Sequence, residues 1–190
     1  MRVITTSEFA KGLWKNGRGI SWDIATEPSR LGNEFGWRLA IAEIAAGGPF
    51  SLYGPVDRVF TLIEGKGVSL DFTDRRLDVS DVHAPVSFAC DVPAACRLND
   101  GPCRALNLFT ARGEWTAVAK IIPVAEIEDI HPAGATCILF ALRGECAVAT
   151  AGTVVVMEEG CTTILNGCRE PVSIASRNGL VFAAMLSPVP

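Results

Sequence analysis

The amino-acid sequence predicts an all-β protein built from two copies of one barrel or sandwich unit, and three observations predict it. Short apolar or alternating segments recur along the chain, separated at near-regular intervals by Gly, Pro, Asn and Asp. That is the pattern of many short strands joined by turns. Helix signals are scarce. Finally, one strand–turn–strand unit occurs twice: RVFTLIEGKGVSLDF (58–72) and CILFALRGECAVATA (137–151) place their turn glycines, Gly65 and Gly144, 79 residues apart.

In order along the chain, residues 5–12 (TTSEFAKG) join capping-type residues to a closing glycine and read as one short helical turn. Strands follow at 20–26 and 36–45. The first copy of the repeat then supplies 58–63 and 66–72 around Gly65, and 76–80 and 86–89 within RRLDVSDVHAPVSFACD. It ends with 94–98 and 103–110 about the Asn- and Gly-containing turn of AACRLNDGPCRALNLF. A strand is expected at 115–121 and a second short helical turn at 124–130. The second copy repeats the series as 137–142, 145–150, 153–157, 162–165, 171–176 and 180–186. Each copy alone has a marginal core, so the two are expected to pack as a double barrel. Residues 1–122 form its N-terminal half and 123–190 its C-terminal half, with Pro123 and the polar stretch 126–134 as the joint.

Composition narrows the function. The chain has 190 residues, 49% hydrophobic and 20% charged, which suits a folded globular protein. Net charge is −4, and no basic cluster exceeds Arg75-Arg76, so nucleic-acid binding through phosphates has no footprint. The N-terminal stretch MRVITTSEFAKGLWK lacks an apolar signal-peptide core. The longest apolar runs fall short of the ~18–20 residues of a membrane span, so a cytoplasmic protein is expected. Seven cysteines form no CxxC pair and read as reduced, mostly buried thiols.

The two copies differ where a site would lie. Seven residues before the turn glycine stands Arg58 in the first copy and Cys137 in the second; Asn107 of RALNLF in the first has an alanine of VFAAML as its approximate counterpart in the second. Inward barrel positions are usually apolar, so polar groups kept in one copy point to one site, in the N-terminal half. Cupin-type barrels suit this strand pattern, and enzymatic cupins commonly hold a metal with His-x-His, a Glu and a later His. Here the only histidines are His83 and His131, and Arg58 stands where the metal-binding glutamate would be. A guanidinium cannot ligate a cation, so neither metal nor other cofactor is expected.

Arg58 can recognise a carboxylate or phosphate, or pair with Asp57 or Glu64 at the surface. Its side chain shares a face with Phe60 and Leu62, and if that face is inward the cation needs an anion. Asn107 is unusual in mid-strand. Arg38 alternates with apolar neighbours as a solvent-facing arginine would, and Trp14 and Trp37 suit core or lid packing. Glu43, Glu64, Asp57 and Tyr53 are the available general bases, none marked as tuned. No nucleophile–histidine arrangement and no phosphate loop is present. Binding is favoured over catalysis.

The segments WKNGRGISWDI (14–24), WRLAIAEIAAGGPFS (37–51), VDRVFTLIEGKG (56–67) and LNLFTARG (106–113) together resemble the HutD/Ves family of small bicupins. The resemblance covers most of the first half; the second half matches in strand pattern. It implies two cupin-like β-barrels packed together and a pocket formed by Trp14, Lys15, Asn16, Arg38, Phe50, Ser51, Arg58 and Asn107, beside Asp57. Arg18 replaces a glycine of the family's W-K-N-G-G-G, and Tyr53-Gly54-Pro55 stands where the family has Phe-Pro-Gly. HutD proteins of the family are typically encoded with histidine-utilisation enzymes and thought to bind or sense a pathway intermediate, whereas Ves-type members are linked to stress responses. The expected ligand is therefore a small carboxylate, such as urocanate or formylglutamate, held by Lys15 and Arg58 under Trp14. A metal-independent isomerase or hydrolase is the second reading. The third is an interaction protein that dimerises or docks an enzyme through sheet edges.

Overall fold

A computed structural model describes residues 1–14, 17 and 19–190. Among them the chain forms nineteen strands and one 3-10 turn, Thr6–Glu8, and divides into two units. Phe9–Glu114 is the N-terminal unit; Trp115–Pro190 together with Met1–Glu8 is the C-terminal unit. Strand β1 (Val3–Ile4) belongs to the latter, pairing with Thr162–Leu165. No helix among the described residues is long and apolar enough to cross a membrane.

The N-terminal unit contains β2 (Ala10–Leu13), β3 (Ile20–Glu27), β4 (Trp37–Ile44), β5 (Gly48–Pro49), β6 (Val56–Glu64), β7 (Val68–Asp71), β8 (Arg76–Val79), β9 (Pro85–Ala89), β10 (Ala95–Leu98) and β11 (Cys103–Ala111). They make a six-stranded sheet, β2-β3-β4-β11-β6-β9, and a four-stranded sheet, β5-β10-β7-β8. Phe60 and Leu62 of β6, Val68 and Leu70 of β7, and Cys96 of β10 join one buried cluster, so the inward face of each sheet supplies the core. The opposite face of the larger sheet is also apolar and buried at Leu39, Ile41, Leu106 and Leu108. That explains why these strands read as nearly continuous hydrophobic runs.

The C-terminal unit contains β12 (Trp115–Val124), β13 (Ile127–Ile130), β14 (Thr136–Arg143), β15 (Cys146–Thr150), β16 (Thr153–Met157), β17 (Thr162–Leu165), β18 (Val172–Ala175) and β19 (Gly179–Pro188). Its sheets run β1-β17-β14-β19-β12 and β13-β18-β15-β16. Matching β4 to β12, β5 to β13, and so on to β11 and β19, gives the same orders in both units. Even the irregularity repeats. The β6–β11 ladder skips Ile63 and the β14–β19 ladder skips Leu142, each two residues before its turn glycine. Gly65 and Gly144 have φ of 96° and 72°, and a Cβ on Gly65 would lie 2.6 Å from that of Cys103, so the turn requires glycine. The all-β cupin-like architecture is present as paired sheets of jelly-roll type that do not close into barrels.

Two helical expectations are corrected. Of 5–12 only Thr6–Glu8 turns, capped by the Glu8 carboxylate accepting from Thr5 N at 2.9 Å. Ala10–Leu13 instead pairs with β3, Leu13 opposite Ile20. Of 124–130, Val124 extends β12 and Ile127–Ile130 pairs with β18. In both places a ladder satisfies backbone groups that one isolated helical turn leaves open. Residues 115–122, expected with the N-terminal half, pair with β19 of the C-terminal unit.

Candidate functional site

The inner face of the N-terminal unit's larger sheet carries a row of paired positions. On β11, Phe109 lies between Arg38 of β4 and Arg58 of β6, and Asn107 lies between Ala40 and Phe60. Period-two alternation points these residues to one side. There they line a cavity with about 450 Å³ of empty space, its open mouth included. The β5 flank adds Phe50, Ser51 and Tyr53; β3 adds Ser21; Trp14 closes the list at the β2–β3 turn.

Six of the eight residues expected in the pocket, Trp14, Arg38, Phe50, Ser51, Arg58 and Asn107, therefore line one cavity. Lys15 and Asn16 lie outside the described residues, as does Arg18. Trp14 is fixed on its own turn: its N–H donates to Gly19 O at 2.9 Å, and its indole Nε1–H donates to Ile20 O at 3.0 Å. A Cβ on Gly19 would come within 2.5 Å of that ring, so Gly19 is what lets the indole lie flat on the turn.

Arg58 is the electrostatic centre. It is 7% exposed, and its guanidinium carbon sits 4.5 Å from the Phe109 ring centroid, 5.1 Å from Phe50 and 5.4 Å from Phe88. The carboxylates that could have neutralised it at the surface pair elsewhere, Asp57 with Arg112 at 2.9 Å and Glu64 with Arg104 at 3.5 Å. Burial pulls the Arg58 pKa down; Cys90 and Tyr53 oppose this, and the Arg38 charge adds to it. Its Nε has no hydrogen-bond partner among the described residues. A guanidinium stays charged under such strain, so the position favours an incoming anion.

Arg38 is half-buried rather than solvent-facing. Its Nε donates to Asp23 Oδ1 at 2.8 Å, and its other nitrogens reach Ser21 Oγ at 3.3 Å and Tyr53 OH at 3.5 Å. Burial depresses its pKa, but the Asp23 hydrogen bond and charge outweigh this, and the net shift is upward. Ser51 Oγ and Asn107 Oδ1 are buried without partners among the described residues.

Of the proposed general bases only Tyr53 lines the cavity. His83 and His131 lie in loops outside it, and no group of three or more His, Cys, Asp or Glu among the described residues could hold a metal ion. Six cysteines are buried and Cys168 is partly so. Burial pushes the thiols of Cys96 and Cys137 up to about 12 and Cys103 to about 11, which keeps them un-ionised and unreactive. The arrangement is a cationic, aromatic-walled recess suited to holding an acid.

Sequence reasoning missed Ser21, Asp23, Phe88 and Phe109. One had a readable signal: Phe109 stands two residues beyond Asn107 on its strand.

The HutD family model matches residues 6–182. Protein Ves of Citrobacter koseri is 36% identical over 110 residues, 57% of this chain and 57% of that protein, so the match spans little more than half its length. An uncharacterised 21.2 kDa protein in the hutC 3' region of Pseudomonas putida is 27% identical over 80% of this chain and 79% of its own. Among solved structures, HutD from Pseudomonas fluorescens SBW25 superposes with a TM-score of 0.86 at 24% identity, covering 100% of this chain and 99% of that one. A cupin 2 conserved barrel domain protein from Leptotrichia buccalis shares the fold alone, with a TM-score of 0.60 at 10% identity over 99% and 96% of the two chains. With its arginine-centred recess on a cupin scaffold and a family match running nearly end to end, this chain belongs to the HutD family.

Proposed function

We propose that the N-terminal unit binds a small carboxylate and that the protein uses this binding to regulate or sequester an intermediate of histidine utilisation in the cytoplasm. The observation that carries the reading is Arg58: a buried guanidinium among three phenylalanines, with no ion pair to a carboxylate among the described residues. Nature rarely leaves such a charge unmatched, because desolvating it costs several kcal/mol (~3–5) unless an anion arrives. Arg58 takes the carboxylate in a forked contact, Arg38 adds a second positive field, and the aromatic walls cover the rest of a planar or short ligand. The hutC-linked relative in Pseudomonas putida and the family name support the histidine-utilisation setting, with urocanate and formylglutamate as candidate ligands. Lys15 and Asn16 belong to the same proposal through the family resemblance.

The test is a calorimetric titration of EDTA-treated protein with urocanate and with formylglutamate, followed by product analysis. Saturable binding of unchanged ligand, abolished in Arg58→Ala without loss of fold, is the expected result. Conversion of the ligand would move the protein to the enzyme class. Undiminished affinity in Arg58→Ala would remove Arg58 from the site.

A further inference from the structure

Resting on the carboxylate reading, we infer that the ligand also carries a hydrogen-bond donor, an N–H or O–H near its acid group, and that Asn107 Oδ1 reads it. The site is selective for donor-bearing acids such as hydroxy acids, N-acyl amino acids or azole acids. It discriminates against plain and keto acids.

The orientation of the Asn107 amide decides the matter. Asn107 is 2% exposed in mid-β11, and its Nδ2 donates to Ala105 O at 3.0 Å. A backbone carbonyl can only accept, so the nitrogen must be the atom facing Ala105. The oxygen is thereby committed to the other side, where it lacks a partner among the described residues. Directly opposite Asn107 on the flanking strands stand Ala40 and Phe60, which have no side-chain donor to give.

The cavity's polar groups are then complementary to one kind of molecule. Arg58 and Arg38 only donate, the Ser21, Ser51 and Tyr53 hydroxyls can do either, and Asn107 Oδ1 only accepts. A ligand made solely of acceptors satisfies the guanidiniums but leaves the Asn107 oxygen orphaned, or sets oxygen against oxygen. A donor on the ligand matches it. Sites with a buried polar group awaiting a particular partner reject the analogue that lacks it far more sharply than apolar sites reject a missing methylene. The C-terminal unit has Ala183 at the same register, between Lys120 and Leu139, and no such acceptor.

The test uses matched acids differing only in O–H against C–F: glycolate with fluoroacetate, 3-hydroxypropanoate with 3-fluoropropanoate, and 4-hydroxybutanoate with 4-fluorobutanoate. Affinities are read by NMR titration in the wild type, in Asn107→Leu, and in Asn107→Ala should the leucine variant not fold. In the wild type at least one hydroxy acid should bind about 5- to 150-fold tighter than its fluoro partner. That ratio should fall to about one in the Asn107 variant, a change that a merely structural role of Asn107 would not produce. Equal binding within every pair in the wild type overturns the donor inference while leaving the carboxylate reading intact. A preference that survives in the variant removes Asn107 as the reader. No binding by any acid overturns the carboxylate reading, and this inference with it.

Discussion

The two units share strand order and even the position of a bulge, yet the same row of positions lines a cavity in one and packs into an apolar core in the other. Register makes the comparison residue by residue. The row Arg38–Phe109–Arg58 in the N-terminal unit corresponds to Val118–Met185–Cys137 in the C-terminal unit, and Ala40–Asn107–Phe60 corresponds to Lys120–Ala183–Leu139. Cys137 and Leu139 are fully buried among Val148, Ile174 and Val181. The N-terminal sheet also continues past β4 with β3 and β2, which bring Ser21, Asp23 and Trp14 to the recess. The C-terminal sheet stops at β12, where Val118 is 73% exposed. The polar recess on this scaffold therefore combines two things: polar residues on the inner face, and extra strands to partner and wall them.

The sharpest way to break the comparison is to give the C-terminal unit the N-terminal residue. Cys137→Arg places a charge in a fully buried apolar cluster without Asp23, Tyr53 or a ring of phenylalanines. It should destabilise the protein by about 3–5 kcal/mol, read as a fall in the denaturant midpoint. A variant as stable as wild type would mean that the scaffold accepts a charge at this register without special surroundings.

The reverse exchange should separate function from stability. Arg58→Met removes an unpaired buried charge and keeps apolar volume, so affinity for a carboxylate should drop at least about thirtyfold. Folding stability should rise by about 1–2 kcal/mol, or several degrees in melting temperature. Loss of binding together with loss of stability would show that the aromatic ring contacts compensate Arg58 fully and that it needs no anion.

How much of this was legible in the sequence depended on the range of the interaction. The repeat, its turn glycines and the shared face of Arg58, Phe60 and Leu62 follow from local spacing, because alternation has a period of two. Which face points inward, and what each charge meets, do not. Arg112 takes Asp57 from 55 positions away and Arg104 meets Glu64 from 40 away. Those pairings decided that Arg58 is not a surface salt bridge. Arg38 looked solvent-facing for the same reason: its partner Asp23 lies on another strand, 15 residues away. The strand Ala10–Leu13 has no alternation of burial, being exposed throughout, so nothing in its sequence distinguished it from a helical turn.

Arg38→Val copies Val118 and tests the second cation. Because Asp23 already neutralises part of its charge and the pair is partly open to solvent, affinity should fall only about two- to fivefold. Raising salt should shrink the difference between variant and wild type. A loss as large as that of Arg58→Met would make Arg38 an equal ligand-binding group.

The smallest effect concerns a loop that the C-terminal unit lacks altogether. Between β3 and β4, residues 28–36 are tied down by the buried carboxylate of Glu114, which accepts from Ser29 Oγ at 2.5 Å, Arg30 N at 2.6 Å and Asn33 Nδ2 at 2.8 Å. Near its end Phe35 packs its ring, tilted, against Tyr53 and Phe109 with centroids 5.8 and 5.9 Å apart, and so backs the wall of the recess. Those donors, the Ser29 hydroxyl foremost, hold the Glu114 pKa down from 4.5 to about 2. A depressed carboxylate pKa stabilises the fold fully above the unfolded value and ceases to do so as pH falls through the folded one. The contribution of Glu114 is therefore complete above about pH 5 and lost progressively down to about pH 2. Glu114→Gln, which cannot titrate, should be less stable than wild type at neutral pH and converge on it in acid. Other carboxylates titrate alike in both proteins and cancel in the difference. Hydrogen exchange should show the loosening at the Arg30 and Asn33 amides, with the C-terminal strands unchanged. A stability difference independent of pH would mean that Glu114 acts through shape alone, leaving its charge without a part in holding the loop against the recess.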